Sequence, residues 1–212
     1  MTKLQPAAEG VRRKSYGEAY RPTFVDRFGV WLSGRQIHHY VADFHGKRIG
    51  DFGCGYQAAF VRTVLDSVAS AILTDVSLSQ DLLAHPKVTV LPGPLPGNLA
   101  KLPSASLDVI LCISVLEHLW EPIQAIREFR RLAAPGGVCL VNVPSWRGKR
   151  FLEYSAFRLG LSPADEMNDH KNYYDVNDLW PLLVRGGFQP SAIRCFHHKF
   201  GMNTFAVCRT PK

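Results

Sequence analysis

IGDFGCGYQ, residues 49–57, is the stretch of sequence that decides the predicted fold. A short strand over residues 48–52 carries Asp51 near its end and runs into two alternating glycines, Gly53 and Gly55. Glycine permits a sharp turn and lets the backbone approach a ligand closely. Read as G-x-G-x-x-A, residues 53–58 also fit a dinucleotide-binding fingerprint. The stretch therefore predicts a strand, a ligand-binding turn and a helix in immediate succession.

Apolar runs alternate with helical patterns along the chain, and Asp175 is a candidate cap for the last of the predicted helices. Strands are predicted at 48–52, 71–73, 88–91, 107–113 and 138–143, and helices at 17–44, 58–67, 122–132 and 176–185. The strands are apolar on both faces, which is typical of a parallel sheet covered by helices on both sides. Two further apolar segments, 192–197 and 203–208, predict a closing antiparallel hairpin. The predicted fold class is α/β, with a doubly wound, mostly parallel sheet.

The composition limits the class of protein. Of 212 residues, 46% are hydrophobic and 20% charged, a balance typical of a folded globular domain. No apolar run approaches the about 18 residues of a membrane helix, and residues 1–14 do not resemble a secretory signal. The five cysteines form no CxxC pair, which favours reduced core thiols over a disulfide or metal framework. We expect a cytoplasmic protein without a metal site.

The formal net charge is +7, and much of the excess lies in residues 12–14 and 147–150. Basic clusters of this kind can contact nucleic acid, anionic lipid or a phosphorylated substrate. Because the sequence lacks an aromatic–basic repeat and a zinc motif, a nucleic-acid partner is disfavoured. A solvated basic surface is the alternative interpretation.

Two acidic residues narrow the choice of ligand. Asp51 stands two residues before Gly53, where its charge would repel a pyrophosphate but favour a cationic group. Asp75 follows the next predicted strand, and an acid at that position can accept hydrogen bonds from both hydroxyls of a ribose. The alternative role for Asp75 is to cap the next helix together with Ser77. The pair of acids predicts a nucleoside ligand that carries a positive group.

Together these features resemble the class I S-adenosylmethionine-dependent methyltransferases, of the small type found among quinone-biosynthesis methyltransferases. The blocks that carry the resemblance follow the family's order: residues 51–55, 74–77, 102–110, 114–119, 129–137, and His170 with Tyr173 and Gly187-Phe188. The resemblance implies a Rossmann-like seven-stranded sheet, S-adenosylmethionine as cofactor, and methyl transfer to a small-molecule acceptor by in-line displacement. It also implies one domain over 1–212, with a helical cap at 1–44, a cofactor-binding core at 45–145, a substrate lid at 146–172, and a closing helix and hairpin at 173–212.

The same resemblance implies a set of cofactor-binding residues. These are Tyr16, Asp51, Gly53, Cys54, Gly55, Asp75, Val76, Asn98, Leu99, Ile113 and Ser114. Asp51 would hold the methionine amino group, Asp75 the ribose hydroxyls, and Val76 one face of adenine. Asn98 and the Leu99 backbone would meet adenine N6 and N1. The family often has Asp where Asn98 stands, but the amide oxygen still accepts a hydrogen bond.

A general base is needed only if the acceptor must lose a proton. The candidates are His118, His170, and Tyr16 or Tyr20. Each candidate also has a structural interpretation, since His118 can shape a loop, His170 can tie the cap to the domain, and the tyrosines can be core residues. The basic side chains of residues 146–172 favour an anionic or carrier-linked acceptor, with an ordinary basic surface as the alternative.

Three other functions compete with methyl transfer to a small molecule. A nicotinamide-dependent oxidoreductase is suggested by G-x-G-x-x-A but disfavoured by Asp51. A non-catalytic relative that binds the cofactor without turnover is compatible with every motif. Methylation of nucleic acid rests on charge alone. The acceptor, its reacting atom and the oligomeric state stay open.

Overall fold

The computed structural model of the protein describes residues 15–18, 23–151 and 169–212. The basic cluster 12–14, Tyr20 and most of the predicted lid therefore lie outside the described residues. None of the described helices combines the length and the apolar content that a membrane crossing requires.

Seven strands form one sheet in the order β3-β2-β1-β4-β5-β7-β6. They are β1 Arg48–Phe52, β2 Ser70–Thr74, β3 Val88–Val90, β4 Leu107–Ile113, β5 Ala133–Pro144, β6 Ile193–His198 and β7 Asn203–Arg209. The first five strands pair in parallel, and β7 lies antiparallel between β5 and β6. The predicted α/β class, the doubly wound sheet and the closing hairpin are confirmed.

Five complete α-helices accompany the sheet in the described part of the chain, and residues 146–151 form a further helical stretch. They are α1 Phe24–Tyr40, α2 Ala59–Val64, α3 Gln80–Leu83, α4 Pro122–Leu132 and α5 Val176–Arg185. Helices α4 and α5 have the predicted bounds. The predicted cap of α5 is also present, because Asp175 and Asp178 form a capping box at its start.

The predicted helix over 17–44 is too long. Gly17 has a positive φ of 77° within a turn, and α1 begins only after Thr23. The Thr23 hydroxyl accepts a hydrogen bond from the Asp26 backbone N–H, while the Asp26 carboxylate accepts one from the Thr23 N–H. This capping box satisfies backbone donors that would otherwise lack a partner, and so fixes the first turn of the helix there.

Each face of the sheet carries its own apolar layer. On one face α4 and α5 pack against the strands, with the rings of Phe52 and Phe129 stacked 5.5 Å apart. On the other face α1 and α2 contribute Ile37 and Val61. All five cysteines are free, as expected, and three of them are fully buried in strands. Two covered faces leave the carboxyl edge of the parallel strands as the place where a ligand can bind.

Hydrogen bonds tie neighbouring strand ends together at that edge. The backbone N–H groups of Gly53 and Cys54 both donate to the Thr74 carbonyl, at 2.7 and 3.3 Å, and connect β1 to β2. The Ser114 N–H donates to the Asn142 carbonyl at 2.7 Å and connects β4 to β5. The loops that carry the predicted site residues therefore start from fixed positions.

Candidate cofactor and acceptor site

The turn after β1 is one that only glycine fits. Gly53 has a φ of +87°, and a Cβ atom there would clash with the Val115 side chain. Gly55 has a φ of +74°, and a Cβ atom there would lie 3.3 Å from the Tyr16 carbonyl oxygen. Side chains are strained in this left-handed region even where space is available. The turn therefore keeps a bare stretch of backbone against the segment after β4.

Asp75 stands at the end of β2 and holds the glycine turn. Its Oδ2 atom accepts a hydrogen bond of 2.7 Å from the Gly55 N–H. Its Oδ1 atom accepts from the Ser15 hydroxyl at 2.5 Å and from the Val76 N–H at 2.8 Å. The capping role considered for Asp75 is wrong, because the next helix, α3, has Ser79 as its N-cap residue.

Asp51 is a buried acid that forms no ion pair within the described part of the chain. Its side chain lies on β1, between β2 and β4, and is only 5% exposed. Burial, reinforced by the charge of Asp75, raises the pKa of Asp51 from 3.8 to about 7. A carboxylate in this position is costly unless a positive group joins it. The site is therefore suited to a ligand that carries an ammonium group.

The residues predicted for adenine lie beyond β2 and β3. Val76 is 52% exposed, so its side chain is open to a flat ring. The Asn98 amide donates to the Gly93 carbonyl at 2.8 Å and to the Leu91 carbonyl at 3.3 Å. Its Oδ1 atom is buried and has no hydrogen-bond partner among the described residues. An amino group such as adenine N6 would satisfy that acceptor.

Three other predicted residues have defined backbone roles. The Leu99 N–H, predicted to meet adenine N1, donates to the Pro96 carbonyl at 3.0 Å inside a short 3-10 helix. Adenine N1 would have to displace that bond. Ile113 ends β4, and Ser114 follows with a φ of 60°. Cys54 is half-buried, and burial raises the pKa of its thiol.

Residues 15–18 cross the glycine turn, so that Tyr16 lies next to Gly55. The Tyr16 carbonyl accepts a hydrogen bond of 2.9 Å from the Tyr56 N–H. A cavity of about 310 Å³ lies beside this crossing and is lined by Tyr16, Trp31 and Gly55 among others. A second cavity, of about 350 Å³, lies at the opposite edge of the sheet near Asp108, where that acid pairs with Arg48 at 2.8 Å. That second cavity is far from the glycine turn.

The two histidines predicted as general bases are neighbours in space. His118 lies in the loop after β4, and His170 lies in the segment before α5. Their rings are 4.8 Å apart in an edge-to-face arrangement. The Nδ1 atom of His118 lies 2.9 Å from Asp169 Oδ2, and the Nδ1 atom of His170 lies 3.1 Å from the Tyr173 hydroxyl. Glu117, which the sequence did not single out as a site residue, lies beside them and is 1% exposed.

Lys199 is a further residue that the sequence did not reveal. It occupies the connection between β6 and β7 with a φ of 49°, and Phe200 follows with a φ of 60°. Burial lowers the pKa of the Lys199 ammonium to about 8, although the charge of Glu117 acts in the opposite direction. The charges of Lys199 and Glu117 thus interact, although the two residues are far apart in the sequence. No local sequence pattern indicates this interaction.

Aromatic and basic residues border this histidine cluster. Residues 146–151 are helical, and the Trp146 ring lies 5.5 Å from the Tyr173 ring. The Lys149 ammonium lies 5.8 Å from the centre of the Tyr173 ring. Positive charge and flat apolar surface therefore adjoin the two histidines on the side of the predicted lid.

Comparison with known proteins agrees with this geometry. Residues 50–141 match the family described as a methyltransferase domain. The chain is 34% identical over 151 residues to a probable S-adenosylmethionine-dependent methyltransferase of Mycolicibacterium smegmatis, with 68% of this chain and 52% of the relative covered. It is 27% identical over 169 residues to a ubiquinone biosynthesis O-methyltransferase of Bordetella pertussis. This match covers 74% of this chain and 68% of that relative.

The chain spans about half the length of the mycobacterial relative. Among solved structures, a [4+2]-cyclase named SpnF superposes with a TM-score of 0.63 at 15% identity, over 95% of this chain and 87% of that protein. At that identity the likeness concerns the fold alone, and the reaction has to be argued from the site.

Proposed function

We propose, from the match of residues 50–141 to the methyltransferase domain family, that the protein transfers the methyl group of S-adenosylmethionine to a small-molecule acceptor. The observation that carries the proposal is the buried Asp51 carboxylate, which has no cationic partner among the described residues and lies beside the glycine turn. The methionine ammonium brings the missing positive charge. A pyrophosphate would instead meet the two acids Asp51 and Asp75, which disfavours a nicotinamide cofactor.

The other cofactor contacts follow from the groups available around the turn. Asp75 would accept the ribose hydroxyls, in exchange for the hydrogen bond that it now receives from Ser15. Val76 would cover adenine, and the buried Asn98 Oδ1 would accept a hydrogen bond from N6. Gly53 and Gly55 would let the methionine and ribose lie directly on the backbone. Each assignment matches a group of the cofactor with a side chain or backbone that can bind it, and none of them requires a phosphate on the ligand.

The main contribution of the protein to the reaction is to align the acceptor with the methyl group. When bound, S-adenosylmethionine supplies a methyl group already activated by a positive sulfur. The residues after β4 orient the acceptor against it and exclude water. For an acceptor hydroxyl, His118 or His170 would hold the departing proton, since each ring is already oriented at Nδ1 by Asp169 or Tyr173.

Charge near the histidines supports an acceptor that carries an anionic group. Lys149 lies at the Tyr173 ring, and Lys199 is a half-buried cation whose charge interacts with that of Glu117. A carboxylate, a phosphate or a phosphate-linked carrier would be attracted to the positive charge of these lysines, while its ring or chain would contact Trp146 and Tyr173. The name of the Bordetella relative, an O-methyltransferase, supports a hydroxyl as the reacting group.

Calorimetric titration of the purified protein tests the cofactor directly. S-adenosylmethionine, S-adenosylhomocysteine and NAD are titrated in parallel into the unaltered chain, the Asp75→Ala variant and the Asp66→Asn control, in which an exposed acid far from the turn is neutralised. Micromolar binding of both adenosyl compounds, lost in Asp75→Ala and kept in Asp66→Asn, supports the proposal. Binding of NAD alone overturns it.

A second candidate is a protein that binds the same cofactor without transferring its methyl group. The likeness to a [4+2]-cyclase shows that this fold also occurs outside methyl transfer. Cofactor labelled in the methyl group separates the two candidates. Label in a product from a panel of anionic hydroxylated acceptors supports methyl transfer, whereas tight binding with no labelled product supports the second candidate.

A further inference from the structure

We propose that Glu117, His118 and His170 bind one divalent transition-metal ion next to the cofactor site. One potential ligand atom from each of these residues lies within 4.8 Å of the other two. Ligand atoms held by one ion at about 2.1 Å lie no more than about 4.2 Å apart. In a tetrahedral site the spacing is about 3.4 Å, so the widest pair has to approach by about 0.6 to 1.4 Å when the ion binds.

Both histidines are oriented as metal ligands usually are. His118 Nδ1 is 2.9 Å from Asp169 Oδ2, and His170 Nδ1 is 3.1 Å from the Tyr173 hydroxyl. A partner at one ring nitrogen fixes the plane of the ring and makes the opposite nitrogen a better ligand. The Asp169 carboxylate thus favours Nε2 as the ligand atom of His118. Nε2 of His170 is available as a ligand in the tautomer whose Nδ1–H donates to the Tyr173 hydroxyl.

The position of Glu117 is rigid as well as buried. Its side chain is 1% exposed, and its backbone carbonyl accepts hydrogen bonds from the Lys171 and Asn172 N–H groups at 2.8 and 3.2 Å. These bonds join the loop after β4 to the segment that carries His170. All three ligands therefore belong to one connected piece of structure, and the charge of Lys199 interacts with that of Glu117.

The ligand set indicates the class of metal. Two imidazoles and one carboxylate suit zinc, iron, cobalt or nickel better than magnesium or calcium, which prefer oxygen ligands. Three protein ligands leave at least one coordination position for another molecule, as in catalytic metal sites. A metal site here would differ from the expectation drawn from the sequence, which considered only the cysteines.

The role of the ion rests on the proposed function. The cluster begins two residues after Val115, whose side chain lies against Gly53 of the cofactor turn. An acceptor hydroxyl bound at the open position would release its proton to water more readily, because a divalent cation stabilises the oxyanion. With the ion bound, this effect would replace the general-base role proposed for His118 or His170. The ion would then hold that oxygen beside the methionine end of the cofactor site.

Cobalt binding tests the site without reference to methyl transfer. Co²⁺ is titrated into chelator-treated full-length protein, and its visible absorption is recorded together with the heat of binding. We expect one Co²⁺ per chain, displaced by Zn²⁺. His170→Ala and Glu117→Gln should weaken binding more than tenfold, and Asp169→Asn about 10- to 100-fold by loosening the orientation of His118.

His197→Ala, which removes an exposed histidine of β6, is the matched control and should bind Co²⁺ normally. Circular dichroism of each variant shows that it is folded, and the milder Asp169→Asn keeps the test decisive if another variant unfolds. Equal Co²⁺ binding by His170→Ala and the unaltered protein, or no stoichiometric binding at all, overturns the proposal. Because the titration contains no cofactor, its outcome is separate from that of the adenosyl titration.

Discussion

The Asp75 carboxylate accepts a hydrogen bond of 2.7 Å from the Gly55 backbone N–H, which joins the end of β2 to the glycine turn after β1. The same carboxylate also accepts from the Ser15 hydroxyl. One acid therefore shapes the turn and holds the segment that crosses it. A ribose would exchange with Ser15 rather than with the backbone, so the turn can stay formed while the cofactor enters.

Asp75→Asn should weaken binding of S-adenosylhomocysteine about 100-fold. The amide keeps the shape but loses the charge, and two hydrogen bonds to a charged acceptor contribute roughly 3 kcal/mol together. Calorimetry measures the loss, with Asp66→Asn as the control. An affinity within threefold of the unaltered protein would show that the ribose binds elsewhere.

Gly53→Ala should abolish cofactor binding and lower the stability of the fold. The added methyl group meets Val115 at a φ of +87°, and strain of this kind costs about 1–3 kcal/mol. Gly97→Ala is the matched control, since a Cβ atom there has no neighbour within 4 Å. Urea unfolding and calorimetry of both variants make the comparison, and equal midpoints would contradict the close packing described here.

The stability of the cofactor-free protein should fall as pH rises from about 4 to about 7. Asp51 has a pKa of about 7 in the fold against an ordinary 3.8, so the folded state favours the protonated acid. Its contribution is complete below pH 3.8 and is lost as pH rises through about 7. Asp51→Asn should remove this trend and stabilise the protein at pH 8 by up to roughly 4 kcal/mol.

Urea unfolding at pH 4 and pH 8 measures this difference for both proteins. The variant should gain stability only at pH 8, and it should also lose affinity for S-adenosylmethionine because the ammonium has no counter-charge. A stabilisation of equal size at both pH values would show that packing, not ionisation, is responsible.

Asn98→Leu should weaken adenosyl binding about tenfold. The substitution removes the buried Oδ1 acceptor assigned to adenine N6, worth about 1.4 kcal/mol. It also leaves the Leu91 and Gly93 carbonyls without the Asn98 amide, so the melting temperature should fall. Calorimetry and thermal unfolding separate these effects, and unchanged affinity would place adenine away from this loop.

Local signals in the sequence were sufficient for most of the fold. Apolar runs located β4 to the residue, and Asp175 marked the start of α5. Asp51 and Asp75 were predictable as partners because each stands at the carboxyl end of a parallel strand, and parallel strands end at one edge of the sheet. The helix over 17–44 failed because a capping box at Thr23 outweighed a weak periodic pattern.

The residues that the sequence did not reveal depend on contacts between distant segments. The charges of Glu117 and Lys199 interact because β7 pairs with β5, which brings the connection between β6 and β7 close to the loop after β4. Asp169 and Tyr173 gain their roles from the way in which one loop is hydrogen-bonded to another. The spacing of residues along the chain does not predict such contacts between distant segments. The cluster of Glu117, His118 and His170 can therefore be identified only in the folded structure.

The place of β7 between β5 and β6 has a consequence for synthesis of the chain. β5 is complete at Pro144, but its partner begins only at Asn203. At about 5–20 residues per second, a ribosome takes on the order of several seconds to make the intervening segment. During that time one edge of β5 has no partner strand. An unpaired apolar edge of this kind is prone to aggregate or to bind chaperones.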